Sequence, residues 1–166
     1  MSNWFETYGY AEVYENLIVG AVPLDLRDVR TLRYLGIERV LNLVQDEEYQ
    51  PGSRAIVGAA LANSGIEEVR LSTVDYGGLT AELLDQSVAT ISNWLDEHNL
   101  VYLHCRAGWQ RSATVAGAVI AAREDLDPDA ALAVAQARKP SADPLPHQRE
   151  DLRRWWADRR AHTHVA

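Results

Sequence analysis

Cys105 is the only cysteine among 166 residues, and it opens the segment His104-Cys105-Arg106-Ala107-Gly108-Trp109-Gln110-Arg111-Ser112. A lone thiol rules out an intramolecular disulfide and a multi-cysteine zinc site. What remains is an inert buried thiol or a reactive one, and the neighbours argue for the reactive one. Five residues separate Cys105 from Arg111. A loop of that length can turn successive backbone N–H groups toward one centre, a nest for phosphate oxygens. A helix beginning near Arg111 adds its positive end to the same point. Gly108 supplies backbone freedom where side chains would crowd the turn. Arg111 presents a planar fork matched to two phosphate oxygens at once. The expected phosphate-binding stretch is therefore Arg106, Ala107, Gly108, Trp109, Gln110 and Arg111. The same surroundings favour thiolate over thiol at Cys105. Ser112 can donate its hydroxyl to the sulfur. His104 is placed to brace the loop through its ring nitrogens, and it has two readings: a core histidine satisfied by backbone, or a direct electrostatic role.

The elements around this loop alternate. Tyr10–Tyr14 and Leu17–Gly20 read as strands joined at Glu15-Asn16, an opening hairpin. Asp25 to Leu35 carries Leu26, Val29, Leu32 and Leu35 at helical spacing, with Gly36 where a C′ glycine belongs. Arg39–Val44 reads as a buried strand, Ser53–Asn63 as a helix ending near Gly65, and Glu68–Leu71 as a strand. Thr80 is an N-cap for a helix with Leu84, Val88, Ile91 and Leu95 on one face. Leu100–His104 is a strand that runs into Cys105, and Ser112–Arg123 is an Ala- and Val-rich helix. Asp127-Pro128 opens a further helix to about Arg138, and His147 to about Arg160 forms the last. Strands alternating with helices predict an α/β fold, a central mostly parallel sheet covered on both faces. Ligands of such sheets bind at the carboxyl ends of strands, where Cys105 falls. No linker, repeat or low-complexity tract divides the chain, so one domain over 1–166, with a core of about 10–160, is expected.

The net charge is −8, and Lys139 is the only lysine. A field of that sign disfavours nucleic acid and anionic membrane surfaces, so an acidic ligand needs a local cationic site. Arg153, Arg154, Arg159 and Arg160 cluster near the C-terminus, read as a solvated helix face. The start, MSNWFETYGYAEVYENL, lacks the basic and apolar regions of a secretory signal, and the longest apolar stretch, Ala113 to Ala122, is too short to span a bilayer. A cytoplasmic location is expected, with no transmembrane segment and with room left for peripheral membrane contact.

The loop resembles the His-Cys-X5-Arg-Ser/Thr signature of protein tyrosine and dual-specificity phosphatases. Its place past the middle of the chain differs from low-molecular-weight tyrosine phosphatases and arsenate reductases, which carry Cys-X5-Arg near the N-terminus. The Gly and terminal Arg-Ser pattern fits rhodanese-like domains poorly. The resemblance extends from about Leu17 to Trp156. Leu17–Leu24 resembles the entry strand of this family. Arg39–Val44 with Asp46-Glu47-Glu48-Tyr49, and Arg70–Asp75, are similar to its mitochondrial tyrosine-phosphatase-like branch, whose members include a phosphatase of phosphatidylglycerophosphate.

The resemblance implies a dual-specificity-phosphatase-like fold and hydrolysis of phosphate monoesters through a phosphocysteine on Cys105, with no metal and no cofactor. It implies that Asp75, thirty residues before Cys105, is the general acid, in the loop Leu71-Ser72-Thr73-Val74-Asp75-Tyr76-Gly77-Gly78. A turn aspartate capping backbone is the other reading of Asp75. Glu47-Glu48-Tyr49 is either a solvated turn or, by the same resemblance, a buttress for the active-site loop. Trp109 is open to three readings: stacking on an aryl phosphate, touching lipid, or packing against the acid loop. The segment Ser53–Ala62 is a candidate pocket wall. The implied substrates are phosphorylated proteins, phospholipid headgroups or small phosphomonoesters, and the alternative is a phosphate-binding module that does not turn its ligand over.

Overall fold

In a computed structural model, which describes residues 1–163, a five-stranded sheet runs in the order β1-β2-β5-β3-β4. The strands are β1 (Tyr10–Tyr14), β2 (Leu17–Gly20), β3 (Arg39–Asn42), β4 (Glu67–Arg70) and β5 (Val101–His104). Only the opening hairpin is antiparallel; β2, β5, β3 and β4 run parallel. The predicted mostly parallel α/β sheet is the one observed. The last three positions of the expected 1–166 domain lie outside the described residues.

Side-chain alternation on the strands builds two layers. Leu17, Val19, Leu41, Leu43, Val101 and Leu103 pack with α4 (Ala81–Asp96), α5 (Arg111–Glu124), α6 (Pro128–Arg138) and α7 (Pro146–Thr163). Ile18, Val40 and Tyr102 face the other way, onto α1 (Asn3–Tyr8), α2 (Leu26–Tyr34) and α3 (Ser53–Asn63). β5 is central and buried at every residue, as a strand covered on both faces must be. Helix α5 is buried from Arg111 through Ala121. Its Gly117 lets Leu132 of α6 come so close that an added Cβ would lie 2.7 Å from Leu132 Cδ2.

Thr80 and Asp127 cap their helices as the sequence predicts, and Asp25 caps α2 as well; each accepts a first-turn N–H with the side chain. Several boundaries differ from the sequence reading; β5 starts at Val101, and α5 runs from Arg111 to Glu124, one residue longer at each end. β3 ends at Asn42, because Asn42 Oδ1 takes the N–H of Val44 and turns the chain out of the sheet (2.8 Å). β4 is shifted one residue toward the N-terminus, and α7 runs from Pro146 to Thr163. The sequence reading also lacked α1. It is held by Ser2, whose hydroxyl caps Phe5 N–H and, with the Ser2 amide, binds the buried carboxylate of Asp28. Phe5 drops into the core between Tyr10 and Tyr102.

Candidate active site

Every strand that touches β5 contributes to the site. Gly20 and Asn42 flank His104 in register, so Cys105 leaves the sheet at the carboxyl end of its middle strand. The loop is tied on both sides: Val22 N–H donates to the Arg106 carbonyl (3.1 Å) and Leu43 N–H to the His104 carbonyl (3.0 Å). Gly108 has φ +74, and a Cβ there would sit 2.6 Å from the carbonyl carbon of Gly20. The glycine is required twice, for the left-handed backbone and for the approach to β2.

Cys105 is 3% exposed, and its Sγ lies 3.2 Å from Ser112 Oγ in the first turn of α5. Arg111 is 1% exposed, and its guanidinium is held from several directions. Nη1 donates to Glu48 Oε2 (2.9 Å), to the Thr73 carbonyl (2.8 Å) and, longer, to the Leu43 carbonyl (3.4 Å). Nη2 donates to Glu48 Oε1 (2.7 Å) and pairs with Asp75 Oδ1 (2.9 Å). Nε is buried and without a partner among the described residues, a donor left over for an oxyanion.

Glu48 is thus a buttress, and the solvated-turn reading holds only for the exposed Glu47. The short 3-10 turn Asp46–Glu48 is closed by Glu48 itself, whose Oε2 accepts the Gln45 N–H (2.8 Å). Burial pushes the Glu48 carboxyl up, but hydrogen bonds from Arg111 and Gln45 outweigh it and hold the group below its usual value. Tyr49 is buried and its hydroxyl accepts from Asn42 (2.8 Å), which anchors the turn to β3.

His104 is fully buried, and its Nδ1 lies 3.2 Å from the Cys105 carbonyl. A carbonyl only accepts, so Nδ1 carries the proton; Nε2 has no partner. Desolvation lowers the imidazole to about 3, the Cys105 hydrogen bond opposes this, and nearby Arg54, Arg111 and Arg70 lower it further. The ring is neutral at physiological pH. It braces the loop through the Nδ1 contact with the Cys105 carbonyl.

Asp75 sits on a loop strained at its neighbour: Tyr76 has φ +60 without being glycine. A pocket of about 270 Å³ opens over Cys105 and is lined by Asp75, Arg106, Ala107, Gln110 and an aromatic group, Trp4, Tyr8, Tyr76 and Trp109. The wall expected from Ser53–Ala62 is instead supplied by α1. Trp4 Nε1–H donates to the Arg106 carbonyl (2.8 Å), and the Arg106 guanidinium lies over the Trp4 ring at 5.2 Å. Trp109 meets Tyr8 of α1 edge-on at 5.1 Å. Trp4 and Tyr8 carried no motif that could have flagged them.

The C-terminal arginines behave as a solvated face. Arg153 pairs with Asp129, Arg154 with Asp151, and Arg160 with Asp125. No described helix is long and apolar enough to cross a membrane.

A family model described as the dual specificity phosphatase catalytic domain matches residues 23–158. The chain belongs to this family. A Rattus norvegicus protein named phosphatidylglycerophosphatase and protein-tyrosine phosphatase 1 is 30% identical over 131 residues, 78% of this chain and 67% of that protein. The Homo sapiens protein of the same name is 28% identical over 131 residues, 78% of this chain and 64% of its own length. The chain thus spans about two thirds of these relatives. Among solved structures, PTPMT1 superimposes with a TM-score of 0.81 at 24% identity, covering 95% of this chain and 100% of that one. The active form of Tk-PTP superimposes with a TM-score of 0.79 at 22% identity, covering 89% and 96%. These structures share the fold. Family membership makes the chain a phosphatase, a phosphoric monoester hydrolase.

Proposed function

We propose that the protein hydrolyses phosphate monoesters through a phosphocysteine on Cys105. The observation that carries this reading is the shared pocket of Cys105 and Asp75, with Ser112 Oγ 3.2 Å from the sulfur and Arg111 holding Asp75 at 2.9 Å. In the first step the Cys105 thiolate attacks phosphorus and the bond to the ester oxygen breaks. Asp75 gives its proton to that departing oxygen. Amide donors of residues 106–110, the start of α5 and Arg111 hold the equatorial oxygens as charge develops on them. In the second step Asp75 takes a proton from water, the water oxygen attacks phosphorus, and the S–P bond breaks. Ser112 donates a hydrogen bond to the sulfur as it leaves.

The pocket walls favour a phosphate carried on an aromatic group, phosphotyrosine in the first instance. Trp4, Tyr8, Tyr76 and Trp109 supply ring faces and edges, whereas Arg106 is the one cationic side chain among the lining residues. A headgroup bearing several phosphates would need more. The relatives' name joins a phosphatidylglycerophosphatase to a tyrosine phosphatase, and a phospholipid substrate is the second reading.

The test is phosphate release by wild type and Cys105→Ser from 4-nitrophenyl phosphate, phosphotyrosine and phosphoserine peptides, a phosphoinositide and phosphatidylglycerophosphate. Turnover lost in the variant, with a phosphoryl group found on the Cys105 peptide after acid quench of the wild type, is expected. Full activity of Cys105→Ser overturns the mechanism, and silence toward every substrate moves the chain to a phosphate-binding role.

A further inference from the structure

Helix α7 lies outside the pocket, yet three of its side chains reach the acid loop. His147 Nε2 meets the Tyr76 carbonyl (2.9 Å), Gln148 Nε2 donates to the Gly77 carbonyl (3.0 Å), and Asp151 Oδ2 accepts the Leu79 N–H (2.9 Å). Asp151 also lies so close to Gly78 that a Cβ there would come within 2.9 Å of its Oδ2. His147 is exposed and Asp151 half-buried, but Gln148 is fully buried.

The second half of the Gln148 amide is also used. Its Oε1 accepts the N–H of Leu145 (3.0 Å). The lead-in to α7 is in turn tied to the phosphate loop, because Asp143 N–H donates to the Trp109 carbonyl (2.7 Å). One side chain therefore joins the two loops: Trp109 to Asp143, two residues on to Leu145, across the Gln148 amide to Gly77, two residues after Asp75. The orientation of the amide is fixed, since a flipped group would set oxygen against the Gly77 carbonyl and NH2 against the Leu145 N–H. On its other side the acid loop is held by Arg111, through the Thr73 carbonyl and Asp75.

We infer that Gln148 is a positioning residue for proton transfer, a buried carboxamide that sets Asp75 over the pocket by bridging the acid loop to the phosphate loop. The inference rests on Asp75 being the general acid. Two features require such a brace. The loop contains Tyr76 at a positive φ, a conformation that persists only when its surroundings over-determine it. And Asp75 must stay within hydrogen-bond reach of the ester oxygen after its Arg111 contact yields to phosphate. Only a carboxamide serves both partners. Leucine leaves the half-buried Gly77 carbonyl and Leu145 N–H without their side-chain partner, and glutamate keeps the acceptor for Leu145 but loses the donor to Gly77.

The experiment compares wild type, Gln148→Leu, Gln148→Glu, Asp75→Asn and Asp75→Asn/Gln148→Leu on aryl phosphates of graded leaving-group acidity, with thermal melts alongside. For Gln148→Leu, kcat toward phenyl phosphate should fall at least about tenfold more than toward 4-nitrophenyl phosphate, because general acid catalysis matters most for the poorer leaving group. Gln148→Glu should show the same signature and carries the test if the leucine variant does not fold. In the Asp75→Asn background the Gln148 change should add little to that discrimination. Equal losses on both substrates, or none, with Asp75→Asn still discriminating between them, overturn the role of Gln148 alone. If Asp75→Asn itself fails to discriminate, the assignment of Asp75 fails and the inference falls with it.

Discussion

Asp75 Oδ1 lies 2.9 Å from Nη2 of Arg111, so the proposed proton donor is paired with the fork proposed to hold phosphate. Glu48 occupies the same guanidinium through both carboxylate oxygens and is the more buried partner, with a side chain 10% exposed against 24% for Asp75. The two carboxylates therefore differ in kind. Glu48 is the fixed anchor, and Asp75 is the contact an oxyanion can displace.

That relationship predicts competition. Asp75→Asn removes a charge that rivals phosphate for Arg111, and it should bind inorganic phosphate about fivefold more tightly than wild type, the scale of one partly exposed ion pair. Isothermal titration with phosphate reads this directly. Weaker binding by the variant would mean that Asp75 and phosphate occupy Arg111 together.

Arg111→Lys keeps the charge and loses the geometry. A single ammonium cannot span both Glu48 oxygens, the Thr73 carbonyl and Asp75 while also presenting two donors to a transition state. Turnover of 4-nitrophenyl phosphate should fall by about a hundredfold or more, the loss typical of a removed oxyanion contact. Steady-state kinetics on protein with a wild-type melting profile checks it; retained turnover would show that charge alone suffices.

His104 predicts an acid limb in stability. Its folded value of about 3 lies below the ordinary 6.5, so the unfolded chain binds a proton that the folded one refuses. Stability is lost as pH falls through about 6.5 and goes on falling toward 3, at about 1.4 kcal/mol per unit, a total on the order of 5 kcal/mol. That is comparable to the whole stability of a small domain. Urea denaturation from pH 7 to 4 should show a steep slope in wild type and a shallower one in His104→Asn, whatever the variant's absolute stability. Parallel slopes would mean that the buried ring already takes a proton in the folded state.

The nucleophile loop was legible because its chemistry is local: strand, nest and helix start are contiguous from Val101 to Ser112, and residue types report each. The caps Thr80 and Asp127 were legible for the same reason. Glu48 was readable only as one of two alternatives, because its partner Arg111 lies 63 residues away and nothing in the turn names it. Trp4, Tyr8 and Gln148 were hidden altogether. Each acts through a backbone carbonyl, of Arg106 or Gly77 in the cases of Trp4 and Gln148, or through a ring edge at Trp109 in the case of Tyr8. A carbonyl exists at every residue and so leaves no mark in sequence. Helix α1 was missed because its six residues are too few for a periodic signal, and it is held by tertiary contacts of Ser2 and Phe5.

The aromatic wall gives the last prediction, which concerns what the phosphate is attached to. Trp4 touches the phosphate loop twice, through its indole N–H on the Arg106 carbonyl and its ring beneath the Arg106 guanidinium at 5.2 Å. Its helix is pinned to the buried Asp28 through Ser2, so the wall stands without help from a ligand. An aryl group entering the pocket meets ring faces and edges, and such contacts contribute about 0.5–1.5 kcal/mol each beyond area burial. An alkyl group meets the same surface without that aromatic increment. Trp4→Ala should therefore raise KM for a phosphotyrosine peptide about five- to tenfold, with a distinctly smaller rise for a phosphoserine peptide of the same sequence. Tyr8→Ala should shift the two in the same sense by loosening Trp109, its edge-on neighbour at 5.1 Å. If both peptides suffer equally, α1 merely supports the phosphate loop, and preference for aromatic phosphates must be sought at Tyr76, across the pocket on the acid loop.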